Sequence, residues 1–115
     1  MLLTNAAAFQ PDTVSPHDHA ALANVHWDMD VRLPNLIRGA ARSRQLAAQH
    51  KRAAWQLICA ARSARHRGDA VMQQDYLEDA IREQQLASEC DGFARRCERE
   101  ANAIAVASGF LRSTK

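Results

Sequence analysis

After Pro34 the chain contains no further proline, and only Gly39, Gly68, Gly92 and Gly109 punctuate a run of good helix formers. Ala, Leu, Arg, Gln and Glu dominate that run, and each loses little on entering a helix. One dipeptide divides it. Gly68 supplies the residue that ends one helix, and Asp69 supplies the cap that starts the next. Arg62, Arg65, His66 and Arg67 precede the turn, at the negative end of the first dipole. Asp69 and Asp75 follow it, at the positive end of the second. The spacing predicts two long helices, from about Leu36 to Arg67 and from Ala70 towards Ser108, folded into an antiparallel hairpin. Asp91-Gly92 is turn-like, but a continuous, curved helix through it is favoured.

A third, shorter helix is expected before the hairpin. Ser15-Pro16-His17-Asp18 has the N-cap, N1 proline and early acid of a helix start. That helix would run through Leu22, Val25 and Trp27, break at Leu33-Pro34-Asn35, and pack back across the open end of the hairpin. The expected fold is therefore all-α, a three-helix bundle in one domain over residues 15–111. Residues 1–14 would form a flexible arm and residues 112–115 a frayed tail. In this register Ala40 lies near Cys97, and Cys59 lies near Leu77 and Glu78. The expected core face of the helix before the turn is Leu46, Ala53, Ala54, Leu57, Ala61 and Ala64. An alanine-rich core buries little area per residue, so a coiled-coil-like homodimer is a natural way to complete it.

Charge is segregated along the chain although the net charge is only +2. Between Asp30 and Asp69 lie nine Arg or Lys residues and no Asp or Glu, whereas residues 69–100 hold nine acids against four Arg. Such a basic helix faces either acids of its own fold or an anionic partner. Intramolecular pairing has ready candidates in Asp75, Glu78, Asp79 and Glu83. The alternative site is a mixed stripe of Arg44, Lys51, Trp55 and Arg62, with Arg38 and Arg52 at its margins. An aromatic among cations suits a protein interface, an acidic one included, and also suits stacking on a nucleic-acid base between held phosphates.

Nothing in the sequence specifies a chemistry. His17, His19 and His26 lack the i,i+3 or i,i+4 spacing that brings two metal ligands to one helix face. Cys59, Cys90 and Cys97 form no paired framework, and Cys90 and Cys97, seven apart, read as small packing residues beside Ala94, Ala101 and Ile104. If that seam met a second copy, two-fold symmetry would bring a cysteine near its mate. Glu78, Asp79 and Glu83 have no partner base, no Gly-rich phosphate loop is present, and Arg67-Gly68-Asp69 is the hairpin turn. No metal, cofactor or catalytic residue is expected. No apolar stretch is long enough to span a bilayer, and the N-terminus lacks a basic signal region. These features lead to the expectation of a cytoplasmic, non-enzymatic adaptor or inhibitor that binds another protein, with nucleic-acid binding through residues 32–67 as the alternative.

Overall fold

The computed structural model describes residues 23–113, with side chains described as far as Gly109. The described chain is helical apart from the turn at residues 67–69 and contains two long α-helices, α1 (Leu33–His66) and α2 (Ala70–Ser113), packed antiparallel along their length. Residues 23–27 are helical too, and Asp28–Arg32 form a π-helical turn that runs into α1 without a break. The expected arm, the helix start at Ser15-Pro16 and the residues His17 and His19 lie outside the described residues.

Pro34 therefore does not end a helix. It has no N–H to donate and would crowd the carbonyl one turn back, the two effects that usually interrupt helical hydrogen bonding. Here the turn before it is widened, and the Leu33 N–H donates to the Asp28 carbonyl five residues earlier. A π-turn of this kind absorbs the local mismatch while the helix axis continues. In place of a third helix folded back, residues 23–32 prolong α1. Val25, Asp28 and Met29 border a small crevice with Ile104, Ala107 and Ser108 of α2.

The hairpin turn follows its sequence signals closely. Gly68 takes φ +75°, its N–H donates to the Arg65 carbonyl, and the Asp69 N–H donates to the Ala64 carbonyl. Together these bonds satisfy the carbonyls at the end of α1. The Asp69 carboxylate then accepts the Met72 N–H at 3.0 Å and caps α2. A side chain at position 68 would be strained in this left-handed conformation although it would touch nothing. Gly68→Ala should therefore cost about 1 kcal/mol by denaturant unfolding, entirely through backbone conformation.

Alanine builds the seam. Ala40, Ala47, Ala54 and Ala61 recur every seventh residue in α1, and Ala80, Ala87, Ala94 and Ala101 do the same in α2. All are buried except the half-buried Ala101. The expected core face is correct at Ala54, Ala61 and Ala64 but is rotated slightly. Leu46, Ala53 and Leu57 are only half-buried, and Ala40, Ser43 and Ala47 are buried instead. Ala40 packs with Ala94 and Cys97 as expected, so Cys97 faces α1 of its own chain and not the same residue of a second copy. The seven-residue spacing keeps one stripe of each helix against the other, and small side chains let the two backbones approach. α2 continues unbroken through Asp91-Gly92 and reaches Ser113, beyond the expected end.

The result is a layer two helices wide and one helix thick, measuring 81 × 24 × 14 Å. No large side chain is fully buried among the described residues. Among the described residues no third element lies over either broad face of the layer.

Candidate binding faces

The seam places the flanking side chains on two faces. Ile37, Arg44, Lys51, Trp55 and Ile58 of α1 share the first face with Leu77, Ile81, Asp91, Glu98 and Ala105 of α2. Leu46, Ala53 and Ala60 share the second with Leu86, Phe93 and Glu100.

A four-membered ion cluster occupies the middle of the first face. Arg44 donates to both Glu98 carboxylate oxygens, at 2.8 and 3.2 Å, and to Asp91 at 3.0 Å. Lys51 reaches the other Asp91 oxygen at 3.0 Å. Asp91 is thus gripped from two sides, and its side chain keeps only 17% of its exposure. The Lys51 ammonium, with Arg44 behind it, holds the Asp91 carboxyl below the usual range, and Arg44 does the same for Glu98. The same contacts raise the Arg44 guanidinium further, as Glu100 does for Arg32 across the second face at 2.7 Å. Carboxyls with depressed values contribute stability that is present above their unfolded values and disappears as pH falls through the folded ones. Unfolding at a series of pH values should therefore show a loss below the ordinary carboxylate range. Asp91→Asn should flatten that loss.

The structure thus divides the predicted stripe. Arg44 and Lys51 are engaged by α2, so the intramolecular pairing anticipated for the basic helix exists, but mostly with other acids. Glu83 is used, its carboxylate accepting a hydrogen bond from the His50 ring at 2.8 Å. Asp79 instead pairs with Arg82 of its own helix, Glu78 accepts from Gln74, and Asp69 caps the turn. Arg38 donates to Asn35. Arg52 and Arg62, with Arg65 and Arg67 nearer the turn, make no ion pair among the described residues, and Trp55 between them is 59% exposed. Arg52, Trp55 and Arg62 stand together on the outer side of α1, whereas Arg38 lies one end away.

Two apolar zones flank the ion cluster. Towards the turn, the register that pairs His50 with Glu83 sets Trp55 level with Ile81, which is 53% exposed, beside the half-buried Ile58 and Leu77. Towards the open end lies a trough of about 490 Å³. Leu33 and Ile37 line one side, Ala101 and Ala105 the other, and Glu98 closes its inner end. The second face carries Leu86 and Phe93, 41% and 47% exposed; Phe93 stands over Gly39, where a β-carbon would lie 3.9 Å from the ring. The trough was not anticipated from sequence. Its signal was the contrast of Leu33 and Ile37 with Ala101 and Ala105 at one level of the hairpin, which emerges only once the register is known.

Among the described residues no group of three His, Cys, Asp or Glu side chains is placed to hold a metal, and no helix is long and apolar enough to cross a membrane. Cys59, Cys90 and Cys97 are free thiols. No protein-family model, no curated protein and no solved structure matches the chain.

Proposed function

We propose that this protein is a non-enzymatic binding module, an adaptor or an inhibitor, that contacts another protein along its long helical surface. One observation carries the reading. A layer one helix thick leaves Ile37, Trp55 and Ile81 on one face and Leu86 and Phe93 on the other, each about half exposed. Exposed large apolar side chains in rows mark surfaces meant to be covered, and aromatic anchors beside arginine are the residues that dominate protein interfaces. Capture on immobilised protein, compared between wild type and two face variants, tests it. Either Trp55→Ala/Ile81→Ala or Leu86→Ala/Phe93→Ala should abolish retention of a partner that the other variant keeps. Indifference of every retained protein to both pairs would remove the reading.

A second reading draws on the cations around Trp55. Arg52 and Arg62 flank an aromatic and make no ion pair among the described residues, the arrangement that holds phosphates while a base stacks. Fluorescence anisotropy with labelled duplex DNA, single-stranded DNA and RNA at two salt concentrations separates the two. Salt-sensitive binding lost in Arg52→Glu/Arg62→Glu supports nucleic acid; no binding at low salt excludes it.

A further inference from the structure

We infer that the first face is covered by a second copy of this chain, packed about a two-fold axis that runs along the length of the hairpin, turn beside turn. This rests on the binding-module reading and divides its surfaces, leaving Leu86 and Phe93 for a different protein.

Three observations select this occupant and this symmetry. The first is area. The chain exposes 8339 Å² and has a radius of gyration of 24.3 Å, where a compact protein of this mass exposes about 6,300 Å² with a radius near 13 Å. Face-to-face overlap of about 35 residues of each helix would cover roughly 50 by 20 Å, about 1,000 Å² per copy. A stable interface needs about 800 Å² per partner.

The second is charge. Two identical layers can pair face to face about an axis across the helices or about one along them. The axis across the helices lays α1 on α1, setting Arg44 and Lys51 opposite their own copies. The lengthwise axis lays α1 on the partner's α2, so that the basic helix meets the acidic one. Each Arg44–Lys51–Asp91–Glu98 cluster then meets its mate with opposite signs facing, because the cluster's cations lie on α1 and its anions on α2. Like charges held together across an interface are costly, and this arrangement avoids them.

The third is shape. A lengthwise axis keeps every level of the layer opposite the same level of its mate. Trp55 and Ile81 then meet the partner's pair in one apolar layer. At the open end, the tall side of the trough, Leu33 and Ile37, lies over the partner's low side, Ala101 and Ala105, and the two troughs fill each other. The product is a four-helix bundle in which every neighbouring pair of helices is antiparallel and opposite in charge. The interface is isologous: α1 contacts α2 of the partner, and α2 contacts its α1.

Light scattering at about 50 µM after gel filtration should give twice the 12.8 kDa chain mass. Ile37→Glu and Trp55→Glu, each at an exposed position that leaves the hairpin seam untouched, should each give a monomer with unchanged helical circular dichroism. Orientation is read separately by a Cys59→Ala/Cys90→Ala/Cys97→Ala background carrying Arg67→Cys. A short bismaleimide should join two such chains, because the turns lie side by side; with the turns at opposite ends they would be out of reach. A monomeric wild type overturns the self-pairing, while capture through Leu86 and Phe93 is scored on its own. A dimer indifferent to both Glu variants, or one that does not cross-link through position 67, overturns it equally.

Discussion

Replacing Ala94 by leucine is expected to destabilise the protein by about 3 kcal/mol, the upper end of the usual cost of overpacking a closed core. Ala94 has no exposure at all and packs on Ala40 and Cys97 in the seam. Three extra carbons have nowhere to go there except between two backbones. α1 and α2 would have to separate at that level, and the neighbouring alanines would lose their contacts as well. The same substitution at exposed Ala103 adds identical apolar volume to the same helix and should change stability by less than about 0.5 kcal/mol. Urea unfolding of the two variants checks the pair. Equal effects would mean that the seam is loose and that the alanines are merely good helix formers.

That contrast also explains what was legible in the sequence. Helix propensity, the absence of proline after Pro34 and the Gly68-Asp69 turn are local signals, and the two long helices and their antiparallel packing follow from them. The repeat of alanine every seventh residue is equally local and marks the seam better than a search for larger apolar residues does, since that search favoured Leu46 and Leu57. Proline misled at position 34 because its cost is conditional. A widened turn at Asp28–Arg32 relieves it, and residues 23–32 then prolong α1 where a break and a folded-back helix were expected. The mixed stripe was only half readable, because charge along a helix does not say which acids of the next helix reach it. Asp91 and Glu98 take Arg44 and Lys51, whereas Arg52, Trp55 and Arg62 stay outward. Such pairings depend on register, and register is a property of two helices at once.

An alanine-rich seam specifies register poorly, since a shift of one heptad again sets alanine against alanine. The tight turn and the polar pairs must therefore fix it, and His50 with Glu83 is the pair that lies within the seam, one heptad from Leu57 on one helix and from Cys90 on the other. Both side chains are about three-quarters covered, so each partly gives up water for the other. Partly buried polar pairs of this kind are often weaker than the apolar residues that could replace them, and they are kept where they choose one arrangement among several. The double variant His50→Leu/Glu83→Leu is therefore expected to gain about 1 kcal/mol or more in urea unfolding. Either single variant should lose about 1 kcal/mol, because it leaves the other polar group half-buried without its partner. The double variant should also lose specificity: amide hydrogen exchange along α2 should become faster and less cooperative than in the wild type despite the higher stability. A double variant less stable than wild type would show instead that the pair contributes stability outright, and that the turn alone sets the register of the hairpin.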